Sequence, residues 1–363
     1  MTALTRLGVV GLGYWGPNIL RNMSEIEDID VSVACDRDMQ ALARQSRRYP
    51  SLRLTTSFDD VLATPDLDGV VLATPIHSHY ELARRALEAG KHVLVEKPLA
   101  GTVEECRSLM GLALERRLLL MPGHTFLYSP PVVAIKRLID AGELGRIYFA
   151  TSSRVNLGIH QRDASVVRDL APHDFSILLY WMGEPEFVRA IGRDAIVRDN
   201  LDVALVDLGY ADGCLVHLEL SWLAPTKLRR TVLVGSRKMV VYEDTSAEQV
   251  RIYDRGVEAI DPQSFGEFQL SYRSGDVLTP RLDADEPLRV ELEDFVHSIR
   301  TGDVPRSHMD LGLDVVRLVE ATEASLMFHG APVPLDTPPT ERRTQPDRRR
   351  NVAGRPCVHP IAL

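Results

Sequence analysis

The sequence predicts an α/β protein in two parts: an N-terminal doubly wound parallel sheet, then an α+β region built on a large, mostly antiparallel open sheet. Three observations carry this. A short apolar run ends in Gly11-x-Gly13-x-x-Gly16 and passes directly into a helical pattern through Ile19, Leu20 and Met23. Short apolar runs and helical patterns then alternate as far as Gly123, the rhythm of a parallel sheet covered on both faces. Beyond that point strand patterns dominate, separated by turn pairs such as Asp212-Gly213 and Gly235-Ser236.

In chain order, the first part reads as a strand up to Gly11, a helix through Asn22, strands 31–35, 69–73, 91–95 and 118–121, and helices 38–48, 57–63, 79–89 and 102–116. Gly90 stops the helix before it, and Val70-Val-Leu-Ala73 has the unbroken apolarity of a strand buried on both sides. A helix over 132–141, closed by Gly142, leads into strands 146–155, 186–193, 202–209, 214–222, 228–235, 238–243 and 249–253, with consecutive strands expected to pair antiparallel. One helix (167–182) interrupts them, and two more (288–300 and 311–328) follow. The expected division is 1–123, 124–336 and a Pro- and Arg-rich tail at 337–363 with too little apolar content to order itself.

Length alone favours two domains, since 363 residues exceed what one core usually serves. A net charge of -9 argues against a nucleic-acid surface. Cys35, Cys106, Cys214 and Cys357 lie far apart, unlike the close pairs of zinc or redox motifs, so no metal is expected. With no leader pattern and no apolar run of membrane-spanning length, the expectation is a cytoplasmic protein without membrane or nucleic-acid partners.

The glycine turn carries the first chemistry. Gly11 allows the sharp turn, Gly13 lets backbone approach a pyrophosphate, and Gly16 lets the helix pack on its strand with free N–H groups toward the phosphates. Asp36 closes the next apolar run, where a carboxylate accepts from the adenine ribose hydroxyls and disfavours a 2′-phosphate. That predicts NAD, with NADP as the alternative because Arg37 follows. Glu96-Lys97-Pro98 ends a predicted central strand, at the sheet edge where ligands bind, and the loop Thr74-Pro-Ile-His-Ser-His79 ends its neighbour. Asp169 and His173 are four apart, one helical turn, so the acid can orient the imidazole or cap the helix. Pro172 is tolerable in a first turn, which places the expected helix start close to Val167–Leu170.

With these residues the chain resembles the glucose-fructose oxidoreductase, inositol dehydrogenase and rhizopine catabolism (Gfo/Idh/MocA) family over nearly all of residues 5–335. The resemblance rests on the glycine fingerprint, Thr74-Pro75 with His79, Glu96-Lys97-Pro98, the Gly142-x-x-Gly145 turn and Asp169-x-x-x-His173. It implies a Rossmann domain, then a domain whose open sheet makes homodimer or homotetramer contacts, and a nicotinamide cofactor with a sugar, polyol or nucleotide-sugar substrate. Lys97 and His173 match the catalytic pair, and Asp169 the acid beside them. Gly11, Gly13, Tyr14, Trp15, Gly16, Asp36, Arg37, Thr74, Pro75, His79, Glu96 and Lys97 would line the cofactor; His124, Asn156, Arg162, Asp169 and His173 the substrate. The chain departs from many members in having Val166-Val167-Arg168 before the Asp-x-x-x-His motif and Ser176 after it. It looks like a subgroup with Asn156-Leu-Gly158, Arg162-Asp163 and Asp-Leu-Ala-Pro-His-Asp.

The implied reaction is hydride transfer between nicotinamide and a ring hydroxyl, with His173 taking the proton and Lys97 steadying the alkoxide. None of the ten tyrosines has a lysine four residues later, so the other common metal-free design is missing. A UDP- or dTDP-hexose oxidised at C3, as in amino-sugar biosynthesis, is the first expectation. Arg154, Arg162 and Arg168 suit a diphosphate, unless they pair with Asp163 and Asp169. The alternatives are a dehydrogenase of inositol, another polyol or a free sugar; an enzyme that uses a retained nicotinamide only transiently; and a non-catalytic cofactor-binding sensor.

Overall fold

The computed structural model describes residues 4–158, 164–260 and 269–335. Its first sheet is formed by β1 (Thr5–Val10), β2 (Ile29–Cys35), β3 (Arg53–Thr55), β4 (Gly69–Leu72), β5 (His92–Glu96) and β6 (Leu120–Gly123). All are parallel, in the order β3-β2-β1-β4-β5-β6, so the direction of winding reverses between β1 and β4. Between the strands run α1 (Gly16–Glu25), α2 (Met39–Arg48), α3 (Phe58–Leu62), α4 (His79–Glu88) and α5 (Val103–Arg116). Strand β3 was not expected: three half-exposed residues, Arg-Leu-Thr, carry no readable periodicity. Helix α5 starts as its sequence dictates, with Thr102 and Glu105 forming a reciprocal capping box.

The two faces of this sheet are buried differently. Val70, Leu72, Val93 and Val95 pack with Ala83, Leu87 and Leu109 of α4 and α5. Leu7, Val9, Val71, Leu94 and Met121 face the other way, into a core that runs on without a break to the second sheet.

The second half opens with α6 (Pro130–Asp140) and β7 (Ile147–Leu157), then α7 (Val166–Met182). Next come β8 (Phe187–Arg193), β9 (Val203–Gly209), β10 (Leu215–Ser221), β11 (Leu223–Gly235), β12 (Met239–Glu243), β13 (Val250–Ile260) and β14 (Gln269–Leu278). Helices α8 (Pro287–Thr301) and α9 (Met309–Met327) precede a short β15 (Val333–Pro334). The nine strands lie in the order β14-β13-β12-β11-β7-β10-β9-β8-β15. Asp212-Gly213 and Gly235-Ser236 turn the chain as expected between antiparallel partners.

Consecutive pairing fails between β10 and β11, and that place shapes the site. Strands β10 and β11 flank β7, parallel to it on one side and antiparallel on the other. Trp222, the single residue between them, carries the chain across the end of β7, where its carbonyl accepts from Gly158 N at 3.0 Å. Strands β14 and β15 were also not expected. Over 272–278 the first is largely exposed, and the second has two residues.

Helices α7 and α9 cover one face of the second sheet, over Val216, Leu218, Leu220, Val206 and Leu208, all fully or nearly fully buried. The C-terminal helices also return to the first sheet. Glu286, just before α8, accepts from Arg21 at 2.5 Å and Asn22 at 3.0 Å on α1, and Arg300 donates to Asp28. Gly312 of α9 fits against β6 because a Cβ there would approach Pro122 to 2.8 Å. The tail beyond 335 and Arg162 with Asp163 lie outside the described residues.

Candidate active site

The loop after β1 has the form a dinucleotide requires. Gly11 holds φ +92°, and a Cβ on it would meet the Ala73 carbonyl oxygen at 2.3 Å. One on Gly16 would sit 2.0 Å from the Gly11 carbonyl oxygen, whereas Gly13 has nothing within 4 Å, so its backbone is open to an incoming phosphate. Helix α1 starts here with Pro17 in its first turn and no side-chain cap, so its positive dipole end faces the loop. Asp36 at the end of β2 accepts from Leu12 N at 2.5 Å and Asp38 N at 2.8 Å, which fixes its carboxylate beside the loop. Tyr14 and Trp15 are exposed and in edge contact with one another. These residues fit NAD.

Lys97 follows β5 at the same carboxyl edge of the sheet. Its ammonium donates to the Asp169 backbone carbonyl at 3.0 Å and stands 4.0 Å from the Asp169 carboxylate, so the bond that joins the two halves here runs to α7. Burial pushes the Lys97 amine down from its ordinary value, against the opposing pull of Asp169 and Glu96. The sequence allowed Asp169 to orient His173. Instead the Asp169 carboxylate accepts the Trp222 indole N–H at 3.3 Å, and Lys97 is its cation.

His173 turns its ring edge-on to Phe126, centroids 5.1 Å apart. Burial, reinforced by Lys97, Arg154 and Arg229, holds it well below the usual histidine range, so it is a neutral imidazole. Ser165 caps α7 through Arg168 N, which puts Pro172 beyond the first turn and corrects the later helix start expected from sequence.

The arginines resolve differently from expectation. Arg154 is buried against Asp174 through its Nε, while Ser152 donates to the same carboxylate at 2.9 Å. Arg168 pairs with Glu323 at 2.6 Å and donates to the Gly101 carbonyl at 3.1 Å. Neither pairs with Asp169, and Asp163 lies outside the described residues. The Arg154 guanidinium lies 4.9 Å from the Phe126 ring centroid and Arg229 lies 5.9 Å from it, so both cations and His173 gather on one aromatic ring.

Of the other expected lining residues, Thr74 and Pro75 end the loop after β4. His79 is buried behind them, its ring nitrogens 2.7 Å from the Thr74 carbonyl oxygen and 2.9 Å from that of Pro98. It therefore braces the Lys97 loop and has no ring nitrogen free for a cofactor. His124, 2% exposed, has no partner on either ring nitrogen, and burial with Lys97 and His308 nearby pushes it down to about 3. Asn156 keeps a buried Oδ1 without a partner, close to Gly158. Among the described residues Arg37 makes no contact that bears on the site. Trp222, Phe126 and Arg229 were not anticipated, because each reaches the site through strand order or the turn after β6 and lies in no motif.

The model of the oxidoreductase family with an NAD-binding Rossmann fold matches residues 5–124, and the GFO/IDH/MocA C-terminal domain matches 132–241. The UDP-N-acetylglucosamine 3-dehydrogenase of Acidithiobacillus ferrooxidans is 30% identical over 81% of this chain and 88% of its own. Inositol 2-dehydrogenase of Rhizobium meliloti is 24% identical over 88% and 96%. Among solved structures, the Acidithiobacillus enzyme GnnA superposes with TM-score 0.74 at 26% identity, covering 90% of this chain and 99% of that one. For the fold alone, the WlbA dehydrogenase of Bordetella pertussis, solved with NADH and UDP-GlcNAcA, gives 0.75 at 20% identity over 92% and 100%. The glycine cradle, the Lys97 loop and both matched halves lead to one conclusion: the chain belongs to the Gfo/Idh/MocA family and is an NAD-binding oxidoreductase.

Proposed function

We propose that the chain is an NAD-dependent dehydrogenase of a sugar ring hydroxyl, with C3 of a UDP- or dTDP-activated hexose as the preferred position, or the reverse reduction of the 3-keto sugar. The observation that carries it is the Lys97–Asp169 bond beside a neutral His173, at the sheet edge that also holds the glycine cradle. Bound NAD supplies a hydride acceptor at this edge, held by Gly11, Gly13, Gly16 and Asp36. His173 has a lone pair for the hydroxyl proton, and Lys97 offers charge to the developing alkoxide in a site where burial strengthens it. Asp169, fixed by Trp222, keeps that ammonium in place. In this reading residues 1–123 bind the cofactor and 124–336 complete the substrate side.

The activated-sugar part rests on the named substrate of the Acidithiobacillus relative. It no longer draws on Arg154 and Arg168, which the protein's own acids occupy. That occupation favours the second reading, a free polyol such as inositol. The homodimer or homotetramer belongs to the proposal too: Phe149, Ile191 and Leu215 stand exposed on the outer face of the second sheet, opposite α7 and α9.

A panel of UDP-N-acetylglucosamine, dTDP-glucose, inositol and glucose, followed at the absorbance of reduced nicotinamide, decides between the readings. Turnover with the highest kcat/KM on a nucleotide sugar is expected. A higher value for inositol or free glucose overturns the activated-sugar assignment.

A further inference from the structure

A base that takes a proton from a bound hydroxyl needs its ring held at one angle, and a histidine base is commonly held there by an acid on its second nitrogen. No acid among the described residues does this for His173. The Asp169 carboxylate, one turn back on α7, faces Lys97 and accepts from Trp222. That of Asp174, the next residue, is taken by Arg154 and Ser152. Among the described residues the His173 ring has no hydrogen-bond partner, and the ring packed on it is that of Phe126, with centroids 5.1 Å apart and planes at 75° to one another.

Phe126 belongs to the short turn Thr125–Tyr128 after β6. Residues on both sides of it in this turn are tied to α8: Thr125 donates its hydroxyl to Glu291 at 2.7 Å, and Tyr128 donates to Asp294 at 2.7 Å. The ring itself is held from the second sheet. Arg154 of β7 and Arg229 of β11 approach it at 4.9 and 5.9 Å, within the range at which a guanidinium is drawn to an aromatic face. Both cations are fixed in turn, Arg154 on Asp174 and Arg229 on Asp244 at 3.1 Å. Helix α8 and strands β7 and β11 therefore decide together where this ring lies. Edge contacts between aromatic rings are directional, so a fixed phenyl restricts the imidazole beside it.

We propose that Phe126 is the positioning residue of His173: its ring, fixed between α8 and the two guanidiniums, sets the angle at which the imidazole meets the substrate hydroxyl. This rests on the oxidoreductase reading above. A phenyl ring orients without adding charge. An orienting carboxylate would also favour the imidazolium, whereas burial first, then Lys97 after β5, Arg154 on β7, Arg229 on β11 and His124 after β6 all disfavour it. Alignment and protonation state are thus set by different neighbours, which makes them separable by experiment.

Histidine ring-proton NMR of the full-length protein, with His173→Gln identifying the His173 signals, reads the contact directly. These signals are expected to be displaced by the Phe126 ring current, to return toward ordinary histidine positions in Phe126→Leu, and to stay displaced in Phe126→Tyr, which keeps the ring. In turnover, Phe126→Leu should lower kcat roughly tenfold or more with KM and the NAD dissociation constant little changed, and Phe126→Tyr should recover most of the loss. The midpoint of the pH limb set by His173 should stay in place, because the cations around it remain. Unmoved His173 signals in Phe126→Leu, or a kcat within about twofold of wild type, would overturn the proposal, and a moved midpoint would do so by assigning the loss to charge. Should Phe126→Leu fail to fold, Overhauser contacts between the two rings in wild type decide: their presence supports the proposal and their absence overturns it. Failure of the dehydrogenase reading is separate, because it shows as absent turnover in wild type while the ring-current displacement stands.

Discussion

The indole N–H of Trp222 donates to the carboxylate of Asp169 across a sequence separation of 53 residues, at 3.3 Å. Because Lys97 leans on both the carbonyl and the carboxylate of Asp169, the indole steadies the lysine through its acid. Trp222→Phe keeps an aromatic ring at this buried position and deletes the N–H, with some loss of volume. A single hydrogen bond to a charged group contributes about 1.5–3 kcal/mol, so kcat should fall roughly tenfold while the cofactor dissociation constant stays constant. Steady-state kinetics with cofactor titration check this, and an unchanged kcat would remove Trp222 from the site.

Arg154 and Asp174 form a buried ion pair in which both side chains are nearly inaccessible, at 6% and 5%. Removing one partner strands the other charge without solvent. Asp174→Ala should destabilise the fold by about 3–5 kcal/mol. Urea denaturation measures it, and a change below 1 kcal/mol would show that water or rearrangement compensates.

The buried histidines set the acid limit of stability. His124 titrates near 6.5 when unfolded but is pushed to about 3 when folded. A depressed histidine leaves stability complete above its unfolded value and erodes it as pH falls from about 6.5 toward 3, because the unfolded chain binds the proton first. His173 acts in the same direction. Unfolding free energies at several pH values should fall by up to about 1.4 kcal/mol per pH unit for each such histidine, and His124→Asn should flatten that slope. Parallel slopes for variant and wild type would contradict it.

Asp36 should decide between cofactors. Its fixed carboxylate would repel a 2′-phosphate, so NAD is expected to show the lower KM. Asp36→Ser should raise KM for NAD roughly tenfold and lower it for NADP. Kinetics with both cofactors in both proteins provide the measurement; a wild-type preference for NADP would place Arg37 on the phosphate instead.

What could be read from sequence and what could not divide along a physical line. Gly11, Gly13 and Gly16 were legible because a tight turn and a close helix approach restrict residue type locally. Lys97 was legible because Glu-Lys-Pro ends a strand of recognisable apolarity. Helical spacing places Asp169 and His173 on one face, while the bonds Asp169 makes come from Lys97 and Trp222 on other elements, which no local spacing shows. Arg154 read as a diphosphate ligand or as a partner of Asp163 or Asp169; its partner Asp174 depends on β7 packing beneath α7, a contact no local pattern encodes. The placement of β7 between β10 and β11 was hidden for the same reason, since it is decided by long-range pairing. Strand β3 was too short for any period to be seen.

Lys97 is the residue on which the proposed chemistry depends, and comparing Lys97→Ala with wild type under saturating NAD and nucleotide sugar tests it most directly. The bond to Asp169 and the adjacent neutral His173 predict that kcat falls by roughly 10²-fold or more, with the melting temperature and the NAD dissociation constant close to wild type. Turnover in Lys97→Ala within a few-fold of wild type would contradict the assignment of this site.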